Sequence, residues 1–350
     1  MSASGVSAAL TALGVTNPVI AAPMAGGPTV PALVTGAWSA GSLGFLAGGY
    51  KSADALATQL AEVRTTTEIV GVNLFAPNPL PVDRAEYRRY AHQLQEVADR
   101  YGVDLTHAEP VEDDDAWSDK IDLLVSSPVP VVSFTFGVPE ESVIRALSKS
   151  GSYLVQTITS PDEVAAAEAA GVDALAVQSA AAGGHRGVLD PRRPSDDRPL
   201  PELVAAVKRV SRLPVYAAGG VSGPADVAAA LVAGAEAVMV GTLLVRAIES
   251  GASAVHRAAL ADAARGEPVV TRAFTGRPAR GLPNEFIARF DSSAPFGYPA
   301  IHHLTSGLRK AAAAAGDPEL VNLWAGLGRL AATEEPVDVI LRRLAGGSLG

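Results

Sequence analysis

The chain has 350 residues, with 28 Lys plus Arg against 37 Asp plus Glu, a formal net charge of −9 and no Cys. A 48% hydrophobic and 19% charged composition excludes a disordered chain, and the acidic balance argues against a general nucleic-acid binder. The lack of Cys rules out disulfides, thiolate zinc sites, iron–sulfur clusters and Cys nucleophiles.

The opening stretch MSASGVSAALTALGV has neither the basic start nor the long Leu-rich core of a secretory signal. No run approaches the roughly 18 apolar residues of a membrane span. A soluble, cytoplasmic protein with no membrane or nucleic-acid partner is expected. Short β-rich runs then follow at PVIAAPM (18–24), SLGFLA (42–47), EIVGVNLF (68–75), PVVSFTFG (130–137), SYLVQTI (152–158), DALAVQ (173–178), PVYAAGG (214–220) and EAVMVGT (236–242). Helical segments separate them at 52–64, 83–101, 140–149, 160–170, 200–210 and 223–233. Ser160-Pro161-Asp162-Glu163 gives one helix a cap residue, Pro at its first position and acids in its first turn. Gly171 and Gly234 each stop a helix just before a buried run.

Eight strand–helix units favour a closed (β/α)8 barrel over an open doubly wound sheet. The barrel is expected over 1–245. A smaller helical subdomain on the substrate side follows over 246–335, and a carboxyl-terminal helix and tail over 336–350. Within the second part, TRAFTGRPARGLPNEF (271–286) is a Gly/Pro/Arg-rich loop, with helices expected at 302–315, 318–332 and 337–344.

Reacting groups in such a barrel sit at the carboxyl ends of the strands. That rule selects Pro23 and Met24 after the first strand, Asn73 in the third and Gln156 in the fifth. It adds Gln178 through His185 after the sixth, Gly219 and Gly220 after the seventh, and Gly241 and Thr242 after the eighth. The last two glycine turns suit a phosphate, because backbone N–H groups can approach an anion there; tight strand–helix turns are the plain alternative. In QSAAAGGHRG (178–187) an imidazole follows two glycines, placed to move a proton or to donate to an oxyanion. The other histidines, including adjacent His302 and His303, lack the spacing of a metal site, so no metal is expected. The acidic stretch 109–122 reads as a solvated connection. Residues 186–198 read as a long loop beside the site, either a lid or a plain surface excursion. Arg272, Arg277 and Arg280 either face an anion or pair with acids.

These residues carry a resemblance. Ala22-Pro23-Met24-Ala25-Gly26-Gly27, Gly71-Val72-Asn73-Leu74-Phe75, Ala182-Gly183-Gly184-His185-Arg186-Gly187, Ala217-Ala218-Gly219-Gly220, Gly241-Thr242 and Phe274 through Gly281 resemble the nitronate monooxygenases, formerly called 2-nitropropane dioxygenases. The resemblance implies a TIM barrel with one non-covalent FMN. Ala22, Pro23 and Met24 would lie by the flavin, Asn73 would bond its edge, and Gln156, Gln178, Gly183 and Gly184 would contact it. Gly219, Gly220, Met239, Val240, Gly241 and Thr242 would hold its phosphate, and His185 would be the catalytic residue. The implied reaction takes an alkyl nitronate and O2 to a carbonyl compound and nitrite through a flavin semiquinone. Oligomeric state is left open, with a homodimer as one option.

Many relatives have Gln at the position of Ala21, Gly at Ser179, Glu at Ala181 and Gln at Leu327. These departures bear on the substrate more than on the flavin. An FMN-dependent NAD(P)H reductase on the same scaffold, acting on enoyl-acyl carriers or quinones, is the alternative, since such enzymes share the Gly-Gly-His loop. A barrel that binds FMN or another phosphate ligand without turnover is a third reading.

Overall fold

The computed structural model describes residues 7–346. Eight parallel strands form one sheet: β1 (Val19–Ala21), β2 (Phe45–Ala47), β3 (Gly71–Ala76), β4 (Val131–Phe136), β5 (Tyr153–Ile158), β6 (Ala174–Gln178), β8 (Val215–Ala218) and β9 (Ala237–Val240). Their order, β1-β9-β8-β6-β5-β4-β3-β2, leaves β1 and β2 at the two edges. A parallel bridge between Ala21 and Gly44 joins those edges, so the sheet is a nearly closed barrel with helices outside it. The (β/α)8 expectation holds.

Alternation along each strand fixes what the barrel encloses. Ile20, Phe45, Val131, Val155, Ala174, Tyr216, Ala237 and Met239 pack together inside, and Leu10 and Val15 from the amino-terminal segment join them as a floor. A Cβ on Gly71 would lie 2.5 Å from the Phe45 ring, so Gly71 leaves the room that this ring fills. Burying such a ring stabilises the fold by roughly 1.5–3 kcal/mol. The alternate residues Val19, Leu46, Val72, Val132, Leu154 and Leu175 pack in the layer of helices instead. Near the carboxyl ends the same inward positions turn polar, with Asn73, Ser133, Thr135, Thr157 and Gln178. A dry floor below and polar groups at the mouth follow from this one change of residue type.

Several helices differ from expectation. Ala8–Ala12, Pro31–Ser39 and Trp117–Ser126 form where the sequence pattern gave no clear signal. Pro31–Ser39 carries Thr35 and Gly36, which weaken its helical pattern, but burial of Leu33, Val34 and Ala37 outweighs local propensity. The helices Ala300–Ala314 and Val337–Leu344 lie where expected.

The helix expected over 318–332 is replaced by 3-10 turns at Pro318–Leu320 and Arg329–Ala331. Between them the chain runs extended as a strap. Leu282 N donates to Leu323 O (2.9 Å), Ala325 N to Arg280 O (3.2 Å) and Leu327 N to Ala181 O (3.1 Å). These tertiary hydrogen bonds take the place of helical ones.

The 271–286 stretch, expected as a loop, contributes to a second sheet. In it β10 (Val269–Thr271) pairs antiparallel with β11 (Ala279–Gly281), which pairs in turn with β7 (Gly184–His185). No helix among the described residues is long and apolar enough to cross a membrane.

Candidate active site

A cavity of about 1360 Å³ opens at the carboxyl ends of the barrel strands. It is lined by Ala22, Pro23, Met24, Asn73, Gln178, Gly183, Gly184, His185, Gly219, Gly220, Met239, Val240, Gly241 and Thr242. Gln156 is the exception. Strand parity turns Val155 and Thr157 inward and Leu154, Gln156 and Ile158 outward, and the Gln156 amide donates to Gly137 O (3.1 Å) and Thr157 O (3.0 Å). Its neighbour Thr157 lines the cavity in its place.

One end of the cavity is lined by close-packed glycine backbone. Gly219 and Gly220 both take positive φ, at 100° and 78°, so their backbone is one that other residues adopt at a cost. A Cβ on Gly219 would meet Ala182 Cβ at 2.7 Å and Ser179 Oγ at 2.8 Å. The Gly219 and Gly220 amides donate to no carbonyl among the described residues. Free amides packed this closely against a cavity are able to take an anion such as a phosphate. Gly183 completes this wall beneath the strap, where a Cβ would lie 2.5 Å from Gly326 N and 2.9 Å from Thr242 Oγ1.

The polar side chains at the barrel mouth fall into two kinds. Asn73 Oδ1 accepts from Ser133 Oγ (2.9 Å) and Thr135 Oγ1 (3.0 Å), which leaves its amide N–H groups for the cavity. Gln178 is spent on its own loop: it donates to His185 O (3.2 Å) and accepts from Gly187 N (2.7 Å). Met24 is also occupied, its N–H donating to Thr29 Oγ1 and its carbonyl accepting from Thr29 N. Ser179 and Ala181, two of the departures, build the turn below His185; Ser179 Oγ accepts from Ala181 N (3.3 Å).

His185 is held from every side. The β7–β11 ladder fixes its backbone opposite Ala279, and its ring meets Phe136, Tyr298 and Trp324 edge-on at 5.7, 5.9 and 5.4 Å. Burial, with the Arg277 and Arg309 charges nearby, pushes the imidazole pKa down to about 3, so the ring is neutral at physiological pH. Nε2 lies 2.9 Å from Thr275 Oγ1, and that hydroxyl also lies 3.2 Å from Arg277 O. Nδ1 has no protein partner among the described residues. When the hydroxyl proton goes to Arg277 O, Nε2 keeps its proton and Nδ1 offers a lone pair. When the hydroxyl donates to Nε2, Nδ1 carries a proton to give. A neutral imidazole so placed can accept a proton or donate to an anion.

Other lining residues are not marked as site residues by the sequence pattern, although Thr275 lies in the Phe274–Gly281 motif. Tyr50, Thr275, Tyr298, His302, Arg309 and Trp324 come from separated loops and helices. Tyr50 and Phe136 hold positive φ, 64° and 82°, an uncommon state for aromatic residues that concentrates at functional sites. In the acidic stretch, Asp115 accepts from Tyr50 N (2.8 Å) and pairs with buried Lys120 (2.8 Å), and Asp113 pairs with His303 (2.9 Å). This stretch orders the rim, and no acidic or histidine cluster fit for a metal occurs among the described residues. The three arginines donate to backbone instead of acids: Arg272 to Ala294 O, Arg277 to Val188 O, and Arg280 to Ala180 O and Pro268 O. The loop 186–198 is anchored, with Leu189 N donating to Glu163 Oε1 (2.7 Å) and Asn78 Nδ2 to Leu189 O (2.6 Å).

Residues 7–346 match the family described as Nitronate monooxygenase. The chain belongs to that family. A probable nitronate monooxygenase of Staphylococcus aureus strain MRSA252 is 36% identical over 349 residues, covering 95% of this chain and 94% of the relative. Among solved structures, nitroalkane oxidase from Streptomyces ansochromogenes superposes with a TM-score of 0.89 at 41% identity, covering 96% of this chain and 97% of that one. FabK from Thermotoga maritima follows at a TM-score of 0.74 and 26% identity, covering 97% and 96%. This member of the nitronate monooxygenase family is accordingly an oxidoreductase enzyme.

Proposed function

We propose that this enzyme binds one FMN without a covalent bond and converts alkyl nitronates, with O2, to carbonyl compounds and nitrite. The observation that carries the reading is His185, a neutral imidazole with one free nitrogen, facing the same cavity as the unpartnered Gly219 and Gly220 amides. The likeness to a nitroalkane oxidase over nearly the whole chain supports it.

The residues present fit FMN. Gly219, Gly220, Gly241 and Thr242 would take the phosphate, and the Asn73 amide would donate to the ring edge. Met24 would contribute contact alone, because Thr29 already uses its backbone groups. Gln178 would act through the His185 loop it braces. FMN, when bound, supplies the electron acceptor that no side chain here can be. The rest is the protein's work: His185 orients the substrate, and the strap 323–327 with Tyr298 and Trp324 excludes water.

A reductase using NADH or NADPH is the second reading, favoured by the FabK match. Anaerobic titration of the purified protein with a primary alkyl nitronate, followed by visible absorbance, separates the two. The expected result is a flavin spectrum that nitronate changes and O2 restores, with nitrite released. A flavin that ignores nitronate but bleaches with NADH or NADPH assigns the reductase. A colourless protein that takes up no added FMN removes the cofactor and the reaction with it.

A further inference from the structure

Beyond His185, the cavity contains a cationic arm that the reading above does not use. Arg309 lines the cavity from the helix Ala300–Ala314 and has no carboxylate partner among the described residues. Its Nε donates to Thr305 Oγ1 (3.0 Å), its Nη1 to Asn322 Oδ1 (2.9 Å), and its Nη2 to both His302 O (3.0 Å) and His302 Nδ1 (3.2 Å). All four acceptors are neutral, so the half-buried guanidinium has no counter-charge beside it among the described residues. Protein interiors tolerate such a charge poorly unless something negative comes to it.

The contact with Nδ1 has a definite chemical consequence. A guanidinium nitrogen can only donate, so His302 Nδ1 must be the acceptor and the ring proton must sit on Nε2. The imidazole is also fixed in orientation, stacked on Tyr50 at 4.1 Å with 3° between the rings. Its Nε2 has no protein partner among the described residues and is not sealed off by protein, while the residue itself lines the cavity. Tyr298 contacts both this ring and that of His185, its centroid 6.4 Å from one and 5.9 Å from the other. Two imidazoles therefore border the same space.

We infer that His302, its tautomer locked by Arg309, is a substrate-binding residue that donates from Nε2 to an anionic oxygen of the substrate while His185 faces the reacting atoms. The Arg309 charge, relayed through that hydrogen bond, makes this end of the cavity an anion subsite. Arg309 is a positioning residue here: four of its five N–H donors are spent on protein acceptors, and both donors of the nitrogen that meets His302 are among them. The nitronate reading is needed to name the anion, but not for an anion subsite to exist.

The test uses the full-length protein as purified and nitrate, an unreactive planar oxyanion, as the probe in isothermal titration calorimetry. His302→Phe should weaken nitrate binding about tenfold or more, the loss expected for one charge-assisted hydrogen bond. His302→Gln, which restores an N–H donor, should recover binding to within about threefold of the parent. With a primary nitronate, His302→Phe should raise KM by a similar factor and leave kcat within about threefold. Far-ultraviolet circular dichroism and flavin content, unchanged in both variants, exclude a folding effect.

Nitrate binding that is equal in the parent and His302→Phe overturns the inference, as does His302→Gln behaving like His302→Phe. A parent protein that takes up no nitrate overturns it too, leaving the nitronate reading to the anaerobic titration. Tight nitrate binding lost in His302→Phe, in a protein that does not oxidise nitronates, sustains the subsite and sinks the reading of the reaction.

Discussion

A buried imidazole beside two guanidinium groups behaves unlike a free histidine. His185 loses its charged form to desolvation and to the Arg277 and Arg309 charges, so its folded pKa of about 3 lies far below the usual 6.5. It is neutral on both sides of the ordinary His titration. With preformed nitronate as substrate, kcat/KM is therefore expected to show no inflection between about pH 5 and 8, where an unperturbed His titrates. An inflection near 6.5 that disappears in His185→Ala would contradict the assigned environment. The same variant is expected to lose at least about 100-fold in kcat, the usual scale for a positioned acid–base or donor group, while its visible spectrum still reports bound flavin.

At this scale the sequence located His185 but not its setting. Burial and the arginine neighbours depend on Arg277 and Arg309, which lie 92 and 124 positions further along the chain. Gln156 shows the opposite failure. Its amide looked suited to a strand end, and one residue of parity turned it into the layer of helices and gave its cavity position to Thr157. Inward Val155 on the same strand carries that parity in the sequence once alternation is followed residue by residue.

Elements are joined at the site by backbone contacts more than by side chains. The strap 323–327 crosses the Gly183 turn and is held by Ala181 O, and Thr242 Oγ1 accepts from Gly326 N (2.9 Å). Three segments far apart in sequence meet there with no room for a methyl group. Gly183→Ala would put a Cβ 2.5 Å from Gly326 N and 2.6 Å from Ala325 C, both rigid backbone atoms. Such overpacking costs about 1–3 kcal/mol, which is released by moving the strap or the turn. The expected outcome is a folded protein with a lowered melting temperature and substoichiometric flavin after gel filtration. Full flavin and an unchanged melting temperature would show that the strap yields freely.

The strap also explains why a helix expected over 318–332 does not form. Local composition there permits a helix, but the segment's backbone groups bond to Arg280 and Ala181 and its glycines fit against neighbouring backbone. Two short strands, Val269–Thr271 at the start of the 271–286 stretch and Ala279–Gly281 inside it, give no sequence signal for a related reason. Strands of three residues give no alternation to read, and Gly184–His185, which pairs with the central strand Ala279–Gly281, lies far earlier in the chain.

For the whole molecule, the neutral buried histidines set a response to acid. His185, His256 and His302 all have folded pKa values lowered chiefly by burial, to about 3 for His185 and about 2 for His302. Below about pH 6.5 the unfolded chain binds protons at these sites that the folded chain does not, so stability must fall as pH falls. The contribution is fully present above the unfolded pKa and is lost progressively on the way down to the folded values. Calorimetric melting temperatures should therefore decline from about pH 6.5 to 4. His302→Phe should make the decline shallower. An equally steep decline in that variant would remove His302 from the account.

The architecture itself was legible from local information, because it rests on short-range physics. Eight β-rich runs, their intervening helices and the glycine turns at strand ends each depend on residues within a few positions of one another. The carboxyl-end rule then puts His185, Asn73 and the Gly219 and Gly220 turn at one mouth from sequence position alone. The remaining features are set by long-range contacts. Which groups are desolvated, which amides are already occupied and which tautomer His302 adopts depend on partners brought together by barrel closure and by the strap laid over it. Arg309 and Tyr50 are 259 residues apart in the chain, yet one holds the edge and the other a face of the same imidazole. No local pattern encodes a contact of that kind, because its energy exists only once the barrel has closed.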